Sequence, residues 1–357
     1  MRIIYRFVLV VALGFPLTSG AHHSISSNYD PGNIVEIEGE VTSVLWRNPH
    51  AQVSMRVTDE AGEQQVWNMA MDSVSNIRRW KIDLGFIEVG DKIRVAGDLA
   101  RRAENSLYIR NILTTSGEEV MLGVSAKPRW SGPTIGIPEN QRLGIGDTSA
   151  PELGIFRVWS TPATVGPLFQ RDLSRTAAGR ALLTETGRKA VASFDWERDN
   201  PLKDCALKGM PVIMESPYPS EFSQSGDNII WRIEEYDTVR TIHMAADASP
   251  ADQPHSLLGY SVGYWENDHT LVVTTTNMGW GHFDGQGIPT SPTAEVVERF
   301  TLSPQGDKLD YMMTFTDAET FIEPMVLTKH WLWFDDAEVA KFNCSSGSLC
   351  QKSTFQI

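Results

Sequence analysis

Cysteine is scarce in this chain of 357 residues: only Cys205, Cys344 and Cys350 occur. No Cys-x-x-Cys pair and no catalytic motif surrounds any of them, which argues against a cysteine nucleophile. His-Glu-x-x-His, Gly-x-Ser-x-Gly and a dinucleotide fingerprint are also missing. Those absences count against zinc peptidase, α/β-hydrolase and nicotinamide chemistry, leaving a different hydrolase, lyase or isomerase open. Basic residues are few, 31 Lys and Arg against 45 Asp and Glu, for a net charge of −14. Such a surface repels phosphate backbones, so nucleic acid is a poor partner. The acidic residues are scattered rather than blocked, as on a solubility surface. No apolar run beyond residue 21 reaches about 18 residues, so no integral membrane segment is expected after the leader. Heptads, solenoid periods and low-complexity tracts are lacking as well.

What is present begins with a leader. Arg2 and Arg6 precede an apolar run from Phe7 to about Leu17, and Ser19-Gly20-Ala21 follows. This is the pattern of a Sec-type signal peptide cut after Ala21, and the run is too short to span a bilayer. The expected location is the periplasm or the exterior. Two of the three cysteines would then pair. Cys205–Cys344 is favoured over Cys344–Cys350, because a longer loop gains more from closure.

At about 150 residues per domain, the length suggests two. Loosely alternating runs at 35–46, 51–57, 64–71, 92–99 and 107–115 read as five strands. Ser73 caps a short helix over 74–81, between the third and fourth. That order matches an OB-like five-stranded barrel, expected over 22–118. Residues 119–180 are rich in Gly and Pro and read as a linker or arm packing on its neighbours, with Phe156 to Trp159 as the packing stretch. A short helical segment capped by Thr184 follows. From Val212 to Phe334 the chain runs through strand-and-turn units at hairpin spacing. The expected fold is mainly β, with a larger antiparallel, lipocalin-like barrel over 181–347 that closes to remove its edges. Residues 348–357 are a tail.

The first half carries His22-His23-Ser24, Tyr29-Asp30-Pro31, Gly39-Glu40-Val41, Trp46-Arg47-Asn48-Pro49-His50 and Val89-Gly90-Asp91. In that order these motifs resemble a family of small secreted bacterial proteins known as a domain of unknown function, over about residues 22–115. The second half carries Gly209-Met210-Pro211, Pro217-Tyr218-Pro219, Gly259 to Glu266, Thr270 to Val273 and Glu298-Arg299-Phe300. It is similar to a secreted β-rich region that often follows such a domain. Both likenesses imply export and a two-domain split. Neither implies an activity.

Three constellations could carry chemistry. After cleavage His22 would offer an amine and an imidazole; with His23 and His50 it could form a nitrogen-rich copper site. The loop from Asn277 to Pro292 holds Trp280, His282 and Asp284 among glycines, with His282 and Asp284 as an acid–base pair. Polar and aromatic residues inside strand runs, chiefly Trp265, Glu266, Glu298 and His330 together with Trp280, would line a ligand pocket if they face the barrel interior. The plain alternatives are a frayed terminus, a turn histidine bonded to backbone, a tight connection and ordinary cross-strand ion pairs. The leading expectation is a secreted protein that binds a small apolar molecule in its β-barrel, with copper binding and an enzyme at the 277–292 loop as alternatives.

Overall fold

The computed structural model describes residues 28–59, 61–123, 126–136, 153–162, 168, 173–174, 176–202, 206–333, 337–342 and 344. His22, His23, Cys205 and Cys350 lie outside the described residues.

The first part contains β1 (Tyr29–Leu45), β2 (Gln52–Thr58), β3 (Gln64–Ala70), α1 (Val74–Arg79), β4 (Lys92–Ala100) and β5 (Leu107–Leu113). β1 pairs with both β2 and β4, β2 with β3, and β4 with β5, all antiparallel. A parallel contact, Ala70 to Tyr108, joins β3 to β5 and closes a five-stranded ring. This is the OB-like order expected. Gly97 allows the tight approach of β4 to β5, where a Cβ would collide with the Tyr108 carbonyl. α1 is capped by the Ser73 side chain, which accepts from the Asn76 N–H at 3.1 Å. Its Ile77, with Trp80 just beyond, seals the ring over Val53, Met55, Val95 and Ile109.

Residues of the expected arm extend both sheets. β6 (Glu119–Met121) and β7 (Thr134–Ile135) continue the first sheet beyond β5. β8 (Val158–Ser160) instead becomes a stave of the second barrel. Three short helices follow: α2 (Ala177–Ala181), α3 (Glu185–Ser193) and α4 (Trp196–Asp199). Thr184 caps α3, as its position suggested.

The barrel then runs in chain order: β9 (Ser220–Ser225), β10 (Asn228–Ile233), β11 (Thr238–His243), β12 (Tyr260–Asn267), β13 (Thr270–Thr276), β14 (Glu295–Leu302), β15 (Lys308–Thr316) and β16 (Met325–Trp333). β16 pairs back onto β8, giving nine staves in a closed barrel. Every neighbour is antiparallel except β11 and β12, joined in parallel through Ile242–Ser261 and His243–Val262. The exception follows from parity: strand direction cannot alternate all the way round an odd ring, so one parallel pair is the fewest that closes it. The five-stranded ring meets the same requirement at β3 and β5. A parallel neighbour needs a long crossover, here residues 244–259.

Val212–Glu215, expected as a strand, is a 3-10 turn. Val212, Ile213 and Met214 are all buried, so the segment lacks the alternation of a half-buried strand. Elsewhere alternation holds. On β14 Val296, Glu298, Phe300 and Leu302 face in, and on β16 Leu327, Lys329, Trp331 and Trp333 do. Phe222, Trp231, Phe300, Tyr311 and Trp331 pack against one another inside, with ring centroids 4.6 to 6.2 Å apart.

Among these apolar staves lies a buried ion pair. Arg240 is 2% exposed and Glu298 0%. The guanidinium donates to both Glu298 oxygens, to Thr275 Oγ1 at 2.7 Å and, through Nε, to Ser261 Oγ at 3.0 Å. Tyr311 donates to Glu298 at 2.8 Å. One pair thereby ties β11, β12, β13, β14 and β15. Removing one partner leaves the other charge buried and alone, a loss of about 3–5 kcal/mol. Glu298→Ala is therefore expected to lose that much stability in urea denaturation. Arg240→Leu/Glu298→Leu should lose less; a double variant worse than the single would contradict this account.

Candidate functional site

The described structure distributes the candidate residues over four places. Glu298 faces the barrel interior, but its carboxylate is engaged by Arg240 and Tyr311. Lys329 also faces inward, on β16. Its Nζ donates to the Met214 carbonyl at 2.8 Å and lies 4.5 Å from the Trp331 ring centre. Burial lowers its pKa to about 7, against the opposing pull of Glu215 and Glu235. His330, next in sequence, takes the opposite phase and lies partly exposed on the outer wall, across from Asp310. Burial, with the Lys308 charge, lowers its pKa, and Asp310 opposes this. Glu266 pairs with Arg299 at a partly exposed position, rather than entering the barrel.

The 277–292 loop is a tight hairpin. Phe283 N–H donates to the Ile288 carbonyl at 2.8 Å, and Thr290 N–H to that of Gly281 at 3.1 Å. Asp284 is buried and accepts from the N–H groups of Gln286 and Ile288 at 2.8 and 3.2 Å. Its carboxylate therefore shapes the turn. His282 lies half-buried with its ring edge-on to Trp280, 5.4 Å between centroids. Burial alone lowers its pKa, with no contribution from Asp284. The expected acid–base pair is thus divided between two tasks. Trp280 is buried, and its Nε1 has no hydrogen-bond partner among the described residues.

Trp265 reaches an open groove of about 360 Å³. Tyr264 and Trp265 of β12 form one wall and the β9–β10 hairpin another, through Gln224, Asp227, Asn228 and Ile229. Phe156, just before β8, and Met244, just after β11, complete the lining. Tyr264 is 55% and Trp265 40% exposed. Adjacent strand residues normally point to opposite faces, yet both line this groove. The pairing of β12 with β13 slips between Trp265 and Asn267, a bulge of the kind that re-aims side chains. The groove's polar residues carry no binding signal in the sequence, where Ser225-Gly226-Asp227 marks only a tight turn.

The fourth place is the seam between ring and barrel. Asn48 bonds Ser75, Ser75 donates to Glu234 of the barrel, and Glu234 accepts from the Ala340 N–H at 3.2 Å. Next to them His50 is half-buried, with Nδ1 3.2 Å from the Met71 carbonyl. A carbonyl only accepts, so Nδ1 carries the proton and Nε2 keeps its lone pair. Burial lowers the His50 pKa from 6.5, opposed by Asp72 and the Met71 contact. The His50 ring meets Tyr108 edge-on at 5.9 Å, and Tyr108 meets Tyr29 at 5.6 Å. Tyr108 is 1% exposed, and burial followed by the Asp72 charge holds its pKa well above 10. Among the described residues no group of three His, Cys, Asp or Glu side chains is arranged to hold a metal ion.

Taken together, these features define a mainly β protein of two closed sheets, an OB-like ring and a nine-stranded barrel. Residues 10–107 match a protein family of unknown function, DUF6152. The match takes in β1 to β4 and therefore the ring side of the seam. No curated protein matches the chain. No helix among the described residues is long and apolar enough to cross a membrane.

Lys329 gives this interior a pH signature. Its amine titrates near 7 in the fold and near 10.5 when unfolded. Between those values the unfolded chain holds a proton that the folded chain has shed, so stability rises with pH across that window and is flat below it. Relative to Lys329→Met, the native protein should gain up to about 1.4 kcal/mol per pH unit between pH 7 and 10. Parallel stability curves for the two proteins would refute the assignment.

Proposed function

We propose that this is an exported binding protein that takes up a small molecule through an apolar face, at the groove on the barrel's end. The observation that carries the reading is the pair of large, exposed side chains, Tyr264 and Trp265, set side by side on a concave surface. Exposed aromatics gathered in a groove are a usual mark of a binding site. The packed aromatic cluster and the Arg240–Glu298 pair occupy the barrel's interior, which favours its end over its centre. Export is supported by Arg2, Arg6, the apolar run to Leu17 and Ser19-Gly20-Ala21. A disulfide at Cys344 fits an oxidising compartment, and we assign Cys205 as its partner. The neutral apolar probe N-phenyl-1-naphthylamine tests the groove. It should bind with a fluorescence rise, and Trp265→Ala should weaken it about tenfold, the effect of losing roughly 1.4 kcal/mol of aromatic contact. Equal affinity in the variant would refute the site.

A second reading, copper binding, is favoured by the tautomer of His50. Its Nδ1–H is anchored on a backbone carbonyl, which puts the ring's lone pair on Nε2, the usual arrangement of a metal-ligating histidine. Tyr29 follows His22 by seven positions, a span of up to about 24 Å. Tyr29 reaches His50 through the single intervening ring of Tyr108. His22, with its freed amine, and His23 are the partners this reading supplies to Cu(II). Protein recovered from the periplasm should begin at His22, and Cu(II) titration should give one tight site. His22→Ala and His50→Ala should each weaken it at least about tenfold. A copper affinity indifferent to both changes would exclude it.

A further inference from the structure

We propose that the occupant of the groove is a neutral saccharide, its ring face stacked on Trp265 beside Tyr264 and its hydroxyls bonded by Gln224, Asp227 and Asn228. The inference rests on the reading of that groove as the binding site. Its starting point is the mixed lining. A wholly apolar ligand would desolvate three hydrogen-bonding side chains without replacing their bonds to water. A sugar ring presents the needed combination: apolar C–H groups on its face and hydroxyls around its rim. Each hydroxyl both donates and accepts, which suits amide and carboxylate side chains that offer a donor, an acceptor or both.

The hairpin that carries the polar residues is tight. β9 and β10 are joined by only Gly226 and Asp227, and Gly226 takes the left-handed backbone, φ 59°, that such a tight turn uses. Gln224 Nε2 donates to the Gly226 carbonyl at 3.3 Å, and Asn228 pairs with Ser225 across the hairpin. Opposite, the bulge after Trp265 lets two consecutive aromatic residues face the same space. Charge narrows the class. The lining contains one carboxylate, Asp227, and no Lys or Arg. With a net charge of −14 on the whole chain, anionic sugars are disfavoured.

Cellohexaose, xylohexaose, chitohexaose and maltohexaose, with a hexauronate as anionic control, are to be titrated into the full mature protein. Tryptophan fluorescence and NMR line broadening are the readouts. At least one neutral hexasaccharide is expected to bind with a Kd of about 1 mM or tighter. Trp265→Ala should abolish binding, and Asp227→Ala/Asn228→Ala should weaken it about tenfold. These positions are at the surface, and circular dichroism of the variants checks that they fold. The hexauronate should not bind. If no neutral hexasaccharide binds at about 10 mM while N-phenyl-1-naphthylamine still binds through Trp265, the saccharide assignment is overturned and the groove stands. Tighter binding of the hexauronate than of any neutral sugar also overturns it. If neither class of probe binds, the groove reading fails with it.

Discussion

The barrel is built around a charge that has no access to water. Arg240 enters the interior in the same inward phase as Ile242, so the pleat of β11 that buries one buries the other. A guanidinium there costs several kcal/mol unless its donors are met. They are met by Glu298 on β14, Ser261 on β12 and Thr275 on β13, while Tyr311 on β15 serves the carboxylate. The consequence is register. A slip of one residue on any of these staves would turn its polar group outward and leave the pair incomplete. The purely apolar positions on the same strands would tolerate other packings more readily.

Closure adds a second constraint. Two odd rings each need a parallel pair, and each pair is short. At the barrel's pair the chain leaves the sheet for the long stretch between β11 and β12. Met244 at its start and the bulged end of β12 both border the groove. The irregular part of the barrel is thus also the part with exposed aromatics. At the opposite boundary, the Asn-Pro-His turn of the ring is fixed against the barrel through Ser75 and Glu234. A motif that looks like a local turn in sequence is therefore part of a joint between ring and barrel.

How much of this was legible differs from element to element. The five ring strands, the Ser73 cap and most barrel strands follow from alternation and local capping, which depend on near neighbours alone. Lys329 and His330 could be assigned to opposite phases, but not to inside or outside. That choice depended on which face of β16 met β15 and β8. Val212–Glu215 read as a strand because apolar content does not separate a strand from a buried turn. β8 was hidden because three residues carry too short a pattern, and only the gap between β9 and β16 gives them a place. The pairing of His282 with Asp284 rested on spacing. The backbone of Gln286 and Ile288 took the carboxylate first.

The mainly β class, the five-then-many strand order and the strongly acidic balance are already present in the chain, since each is set by composition or by periodicity over a few residues. Folding in three dimensions was needed to give Glu298 to Arg240, to set His50 at a joint with Nε2 turned away from its backbone anchor, and to bring Trp265 to a groove with a hairpin some forty residues earlier. These are contacts between distant segments. Their formation depends on ring closure and strand register, which no local window of the chain contains.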